Sequence, residues 1–250
     1  MELRVLGPLD VRSDNGEQLQ FPRPSQRALL SLLLLRAGHT VTRSSLIDDF
    51  WGQQPPLNPG AALRNIVYEV RRVIGAPGRI ETCGNGYIFH VNQGDYLDLH
   101  SFRELRAQGE NALGNGDLRR AAARLKEALD TWPEPALADF PPHAVSHGTA
   151  KALLEERALT QELLIDAMLD LGHYRDAVVI LYELTASDPL RERWWELLLL
   201  ALYRRGDQAA ALAAFAQARS VLADKCGIDP GPGLQTLQRR ILAADPVLSQ

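Results

Sequence analysis

Apolar and polar residues change their period along the first part of the chain. Residues 2–12 alternate, and a second apolar stretch follows at residues 19–21, which predicts a small antiparallel sheet. Alternation then gives way to helical spacing over residues 25–38, 42–51 and 60–74. The pattern therefore predicts a small sheet followed by three helices.

The third predicted helix has two different faces, and a hairpin follows it. Its apolar stripe consists of Leu63, Ile66, Val67, Val70 and Ile74. Its polar stripe consists of Arg64, Asn65, Tyr68, Glu69, Arg71 and Arg72. Residues 79–83 and 87–91 alternate around Gly84-Asn85-Gly86, and Asn-Gly is a strong hairpin signal. The order of sheet, three helices and hairpin is typical of a winged helix-turn-helix of the OmpR type, whose third helix enters the major groove of DNA.

From residue 96 to residue 245 the pattern predicts helices only, with an internal repeat. Gly116, Gly172 and Gly206 are each followed by alanine five residues later. Gly172 and Gly206 are 34 residues apart, which is the tetratricopeptide period. A Pro-rich insert at residues 132–142 lengthens the first interval. The predicted fold is therefore mainly α: an N-terminal winged helix-turn-helix with a small β-sheet, three helices and a hairpin wing, followed by an all-α, tetratricopeptide-like helical-repeat domain.

Charge is distributed unevenly between the two predicted domains, residues 1–94 and residues 95–250. The chain of 250 residues carries a net charge of -4. Residues 1–95 hold ten Arg and no Lys against nine acidic residues, a net charge of +1. Within residues 58–80, however, four Arg face one acidic residue. Because phosphate contact depends on local clustering of positive charge, the third helix is the part of the chain that favours nucleic acid.

The polar stripe of the third helix is the main candidate for DNA binding. Arginine can bind guanine bidentately or clamp a phosphate, and Tyr or Asn can bond base edges or phosphate. The plain alternative is a solvated helix face, and the spacing does not say which residue reads a base. The candidates in this stripe are Arg64, Asn65, Tyr68, Arg71 and Arg72.

Further phosphate-binding candidates lie at the starts of the first two helices and in the hairpin. Helix N-termini and hairpin backbones can hold phosphate, although capping and solvation explain each residue equally well. These candidates are Gln26, Arg27, Arg43, Ser44, Thr82, Asn85, Gly86 and Tyr87.

The sequence lacks the signatures of an enzyme, a metal site or a membrane protein. The patterns GxxxxGK[ST], HExxH and GxSxG do not occur. Cys83 and Cys226 have no CxxC or His partners, and the pair His143 and His147 has no third ligand nearby in the sequence. The apolar runs are too short to span a bilayer, and the first residues do not form a signal peptide. We therefore expect a cytoplasmic, nucleoid-associated protein without catalytic activity, metal or cofactor.

Motifs along nearly the whole chain resemble those of the Streptomyces antibiotic regulatory protein family. In the N-terminal part they are VLGPLDV (5–11), SQRALLSLLLLRAG (25–38), VTRSSLIDDFWG (41–52), LRNIVYEVRRVIG (63–75) and GYIFHV (86–91). In the C-terminal part they are PLRERWWELLLLALYRRGDQAAALAAFAQAR (189–219) and GIDPGPGLQTLQRRIL (227–242). The last two resemble the family's bacterial transcriptional activation domain, so the match is more discriminating than a generic winged helix.

The resemblance implies a sequence-specific, DNA-binding transcriptional activator, commonly of a secondary-metabolite (antibiotic) gene cluster. Such proteins look like binders of direct repeats near the promoter -35 region, where they recruit RNA polymerase holoenzyme. The expected partners are double-stranded promoter DNA, the sigma factor or core subunits of the polymerase, and further copies of the chain on the repeats. The length resembles the small members, which end after the activation domain. We expect no receiver domain before the winged helix, and so no switch by phosphorylation of an aspartate.

Two positions depart from the family pattern. Ser25, the predicted N-cap of the first helix, stands where the family usually has a basic residue, which puts one phosphate contact in doubt. Glu69 lies where a basic or neutral polar residue is common. Its carboxylate would repel phosphate but could accept from a cytosine amino group. Glu69 therefore either points away from DNA or sets a distinct operator preference.

A second hypothesis makes the chain a protein-interaction adaptor whose winged helix binds protein rather than DNA. The nearly neutral charge of residues 1–95 and the presence of Glu69 support it. Binding to upstream DNA, and its dependence on salt, would distinguish the two hypotheses.

Overall fold

The computed structural model describes residues 1–75, 78–146 and 148–249. Within these residues, no helix combines the length and the apolar character needed to cross a membrane.

The chain folds into two compact units that alternate along the sequence. Unit 1 contains Met1–Ala107 and Lys126–Leu159, and unit 2 contains Gln108–Leu125 and the chain from Thr160 onward. Residues 126–159 therefore pack with the N-terminal part, and the domain boundary between residues 94 and 95 stays a prediction.

Unit 1 contains a winged helix-turn-helix, as the sequence predicts. Its strands are β1 (Glu2–Arg4), β2 (Asp10–Arg12), β3 (Val41–Thr42), β4 (Ile80–Cys83), β5 (Gly86–Phe89) and β6 (Tyr96–Leu97). Its first three helices are α1 (Pro24–Leu35), α2 (Arg43–Trp51) and α3 (Pro59–Ile74). We call the hairpin of β4 and β5 the wing.

The remaining helices follow one another with short connections, apart from the Pro-rich insert. They are α4 (Asp98–Gly114), α5 (Leu118–Asp130), α6 (Pro142–Ser146), α7 (Thr149–Asp170), α8 (Tyr174–Ser187), α9 (Glu192–Arg204), α10 (Gln208–Cys226) and α11 (Pro232–Leu242).

The N-terminal sheet has the order β2-β1-β6, with β1 antiparallel to β2 and parallel to β6. The prediction of a strand at residues 19–21 was wrong: these residues form no strand, and a single bridge between Arg12 and Gln18 precedes them. Proline at position 22 has no N–H to continue a ladder, and the chain turns directly into α1. The third strand is instead β6, which lies too far away in sequence to be expected.

The helix starts follow capping chemistry, with one correction. Thr42 caps α2 by accepting from Ser45 N, and Asn58 caps α3 by accepting from Ala61 N. Ser25 is not the cap of α1, because Pro24 takes the first helical position and Arg23 the cap position. The Gln26 side chain accepts from Arg23 N at 3.2 Å, so a side chain from the first turn closes this end.

The core of unit 1 fixes the direction of α3. Its predicted apolar stripe is buried at Leu63, Val67, Val70 and Ile74, while Ile66 is half-buried. The opposite stripe consequently faces outward. The second sheet, in the order β3-β5-β4, carries the wing and closes the same core.

The Pro-rich insert packs onto the N-terminal part of unit 1. Leu137 N donates to Leu6 O at 2.9 Å. The Asp139 carboxylate accepts from Leu9 N at 2.8 Å and from Arg27 Nε at 2.6 Å. Helix α6 contacts α2. What the sequence presents as an insertion between repeats is therefore part of the packing around the winged helix.

A buried carboxylate ties β1 to the start of α4. Asp98 accepts from Val5 N at 2.8 Å and Leu6 N at 3.0 Å, and from Leu99 N at 2.8 Å. Burial raises the pKa of Asp98 to about 6, although these three backbone donors favour the charged form.

Unit 2 contains the repeating helices. The predicted turn glycines Gly116, Gly172 and Gly206 have φ angles of 74°, 80° and 90°, a left-handed conformation that favours glycine. The alanines five residues after them, at positions 121, 177 and 211, are all fully buried. Helix α9 packs against α8, α10 and α11. The predicted helical repeat is therefore confirmed at its turns and at its close helix contacts.

Candidate nucleic-acid interface

The polar stripe of α3 is exposed, as the sequence predicts. Arg64, Asn65, Tyr68, Arg71 and Arg72 all lie on the surface, and Tyr68 has 63% of its area exposed. Asn58 fixes the start of the helix, and Gly75, with φ of 65°, ends it. A rigid helix therefore presents five polar side chains on one face.

Within this stripe, the side chains of Arg64, Asn65 and Arg72 form no ion pair or hydrogen bond with the residues that the structure describes. The guanidinium of Arg72 lies over the Tyr68 ring, 6.0 Å from its centroid. That contact orients the side chain while its N–H donors stay available. Arg64 and Arg72 are therefore two uncompensated cations on the outer face.

Arg71 points toward the wing. Its Nε donates to Ile80 O and its Nη2 to Thr82 Oγ1, both at 2.9 Å. Arg71 and Thr82 remain exposed, but part of their hydrogen-bonding capacity joins α3 to β4. Sequence spacing could not show this contact, because it depends on how the hairpin packs against the helix.

Glu69 points toward the start of α1. Its carboxylate forms an ion pair with Arg23 and accepts from Gln26 Nε2 at 3.1 Å. The negative charge is therefore largely compensated within unit 1. Of the two sequence-based interpretations of Glu69, the geometry supports the one in which its carboxylate turns away from the rest of the stripe.

Two candidates at the start of α1 are committed to packing. Gln26 is 5% exposed, and its side chain bonds both Arg23 N and Glu69. Arg27 is half-buried, pairs with Asp139 and donates to Phe21 O at 2.8 Å. Both side chains hold α1 in place, and a phosphate contact at this end of the helix stays a prediction.

Some of the candidates on α2 and the wing are exposed, and others are buried. Ser44, Thr82 and Asn85 are exposed, whereas Gly86 and Tyr87 are buried. Tyr87 is 3% exposed, so its side chain offers little surface to a ligand, and its assignment as a phosphate candidate stays a prediction. Alternation within the hairpin could have indicated this burial, because Tyr87 shares its strand face with the buried Phe89.

The position of Arg43 adds a cation beside the wing. It is half-buried at the first turn of α2, and its backbone N donates to Asn85 O at 2.9 Å. Its guanidinium lies 5.6 Å from the centroid of the Tyr87 ring, and that of Arg71 lies 5.9 Å from the same point.

A buried ion pair anchors the base of the wing. Arg79 and Asp95 form two contacts, of which Nη2 to Oδ1 measures 3.2 Å, and their side chains are 8% and 3% exposed. Burial alone would raise the pKa of Asp95, but hydrogen bonds from Arg79, from the N-terminal ammonium of Met1 and from Asn92 N lower it to about 2. The sequence analysis counts Arg79 among the four arginines of residues 58–80, but this arginine is buried and paired with Asp95, a residue to which the sequence assigned no role.

Among the described residues, no cluster of His, Cys, Asp and Glu could hold a metal ion. His143 lies against Gly52, and His147 lies outside the described residues. Cys83 and Cys226 are exposed and free.

Comparisons with known proteins extend along the chain. Residues 97–242 match the model described as bacterial transcriptional activator domain, and residues 17–89 match that of transcriptional regulatory protein, C terminal. The regulatory protein DnrI of Streptomyces peucetius is 36% identical to this chain, and the match covers 98% of this chain and 93% of DnrI. The chain belongs to the Streptomyces antibiotic regulatory protein family. Members of this family are transcriptional regulators and not enzymes.

Other relatives differ in length. The regulatory protein AfsR of Streptomyces coelicolor is 45% identical over 98% of this chain, which spans about a quarter (24%) of AfsR. A solved structure of Mycobacterium tuberculosis EmbR, in complex with a low-affinity phosphopeptide, superposes with a TM-score of 0.82 at 30% identity. It covers 98% of this chain and 65% of EmbR. The likeness supports the winged-helix and helical-repeat fold of this family member.

Proposed function

We propose that this protein binds promoter DNA in a sequence-specific manner, with α3 in the major groove and the wing against the backbone. The observation that carries the proposal is the exposed stripe of α3, in which Arg64 and Arg72 have no acidic partner among the described residues. Asn65 and Tyr68 add groups that can bond base edges. Thr82 and Asn85 on the wing and Ser44 on α2 are the phosphate candidates that remain exposed.

We further propose that the bound protein activates transcription, with residues 1–94 binding DNA and residues 95–250 contacting the transcription machinery. The match to a bacterial transcriptional activator domain over residues 97–242 supports this assignment. The finer proposal is binding to direct repeats near the -35 region of a secondary-metabolite gene cluster. Copies of the chain would bind side by side and recruit RNA polymerase holoenzyme.

Alanine substitutions on α3 test the proposed interface. We expect Arg64→Ala and Arg72→Ala each to weaken binding to a footprinted upstream site by about tenfold, since a base contact contributes roughly 1–3 kcal/mol. Gel shift on the site and on an unrelated sequence measures affinity and specificity together. Arg71→Ala is a poorer probe, because it also removes two bonds to the wing.

The matched control is Arg12→Ala on the N-terminal sheet. This substitution also removes one exposed arginine, whose surface pair with Asp10 contributes little to stability. Arg12→Ala should change the affinity for DNA by no more than about twofold, if loss of one positive charge anywhere on the surface is not enough to weaken binding. Equal affinities of wild type, Arg64→Ala, Arg72→Ala and the double variant would disprove the role of α3. A lack of DNA binding by the folded wild type would favour the adaptor hypothesis.

A further inference from the structure

Two arginine side chains converge on the buried ring of Tyr87. The guanidinium carbons of Arg43 and Arg71 lie 5.6 and 5.9 Å from its centroid. The ring is a fixed platform because it is 3% exposed and its strand pairs on both sides, with Val41 and with Thr82. A guanidinium near an aromatic ring is attracted by the ring quadrupole, so the platform orients both cations.

Neither guanidinium is compensated by a carboxylate among the described residues. On α3 and on the first strand of the wing, Glu69 pairs with Arg23 and Glu81 with His90. In addition, Arg43 Nε is buried and has no hydrogen-bond acceptor in the structure. Two guanidinium groups beside one ring, without a carboxylate to neutralise them, form an arrangement that favours a bound anion.

Hydrogen bonds to the wing hold the backbone of Arg43 and the side chain of Arg71. Arg43 N donates to Asn85 O at the tip of the wing. Arg71 is bonded through Nε and Nη2 to Ile80 and Thr82 on the first strand of the wing, which leaves its Nη1 without a partner in the described residues. Because the donors are already positioned, binding an anion requires little further ordering of side chains.

We propose that Tyr87 is a positioning residue whose ring holds Arg43 and Arg71 as a clamp for one phosphate of the DNA backbone, where α2, α3 and the wing meet. The inference rests on the proposed function, which does not itself assign such a clamp. Phosphate contacts fix register and affinity without reading sequence, so the clamp strengthens binding to all DNA equally. Tyr87 thus acts on DNA through two arginines and does not touch it.

Two substitutions in the full chain distinguish the role of the Tyr87 ring from that of its hydroxyl. Tyr87→Phe keeps the ring and removes the hydroxyl, whereas Tyr87→Leu removes both. The measurement is the slope of log affinity against log salt concentration, on the footprinted site and on unrelated DNA. Removing one phosphate from the interface should make that slope shallower by about 0.9. We expect Tyr87→Phe to match the wild type, and Tyr87→Leu to show the shallower slope on both DNAs. A shallower slope for Tyr87→Phe would overturn the role of the ring.

Arg43→Gln provides a second test that does not depend on a buried substitution. It should also make the slope shallower by about 0.9, and adding Tyr87→Leu to it should produce no further change, because both substitutions disable one clamp. An unchanged slope for Arg43→Gln overturns the proposal even if Tyr87→Leu fails to fold. Additive effects in the double variant also overturn it, since they indicate two independent sites.

Anion binding without DNA separates this inference from the proposed function. Titration with inorganic phosphate should shift the Nε resonance of Arg43 in nitrogen-15 spectra of the wild type and of Tyr87→Phe, and not that of Arg12. No shift of Arg43 would overturn the clamp. If phosphate shifts the Arg43 resonance but the wild type binds no DNA, the proposed function fails. The anion site is then real, but its ligand is not the DNA backbone. If Arg72→Ala weakens site binding while Arg43→Gln leaves the slope unchanged, only the clamp fails.

Discussion

At the scale of single residues, the sequence predicts which side chains face outward on α3 but not what the others bind. Helical spacing alone places Arg64 and Arg72 on the surface. The partners of Arg27 and Gln26 are 112 and 43 positions away in sequence, so no local rule could reveal them. Tyr87 is different, because strand alternation with Phe89 already favours burial of its side chain.

The buried pair of Arg79 and Asp95 leads to a prediction on pH dependence. Asp95 has a pKa of about 2 in the folded protein, below the roughly 3.9 of an unfolded Asp, so its ionised form stabilises the fold above about pH 4. Asp95→Asn should lower the free energy of unfolding at pH 7 by about 2 kcal/mol or more, because it leaves a buried guanidinium without its counter-charge.

This wild-type advantage should shrink as the pH falls from about 4 to about 2, where Asp95 takes up its proton in the folded state. Urea unfolding of both proteins over that range measures the difference. Asp98 is present in both proteins, so its own titration cancels. A difference in stability that is the same at pH 7 and at about pH 2.5 would contradict the assignment.

At the scale of elements, long periodic segments are predictable and short strands are not. The three helices of the winged helix and the wing follow from hydrophobic period and Asn-Gly chemistry. Strands β3 and β6 have two residues each, too few to show alternation, and exist because a partner strand offers free backbone groups. Helix α6 has only five residues within a Pro-rich stretch, and its packing against α2 stabilises it.

The pairing of β3 with β5 depends on a glycine at the start of β5. A Cβ built on Gly86 would lie 2.4 Å from Val41 O, a backbone atom that cannot move without breaking the pairing. Gly86→Ala should therefore destabilise unit 1 by about 2 kcal/mol, in the range of overpacking substitutions.

Gly60→Ala is the matched control in the first turn of α3. Its Cβ would meet only ordinary contacts, the nearest being Arg64 Nη1 at 3.6 Å, so stability should stay level or rise by about 0.5 kcal/mol. Thermal unfolding of the two variants distinguishes the two sites. Equal melting temperatures for both would show that the strand adapts to the extra carbon.

At the scale of the whole molecule, the order of elements is predictable but the division into packed units is not. Repeat counting identifies the helical array and treats residues 132–142 as an insertion within it. The structure shows that this segment bonds to the chain just after β1, to the loop before β2 and to α1. Unit 1 is therefore completed by residues that follow part of unit 2 in sequence.

The Asp139 carboxylate is the test of this long-range packing. Asp139→Ala leaves Leu9 N and the half-buried Arg27 without their acceptor, so unfolding should become easier by about 2 kcal/mol. Hydrogen exchange should locate the loss in β2, α1 and residues 132–146. As a comparison, Asp130→Ala removes a carboxylate paired with Lys126 on the surface of α5 and should have little effect. Loss of protection confined to residues 132–146 would contradict the proposed coupling.

The packing of Asp139 against α1 has a consequence for building hybrid regulators. Joining the winged helix of one family member to the helical array of another at residue 94 would pair Arg27 with a foreign side chain at position 139. Such a hybrid would also need residues 132–146 from the same protein that supplies the winged helix, as a second exchanged segment. Hybrids made with one junction should then express poorly, and those with the matched second segment should recover.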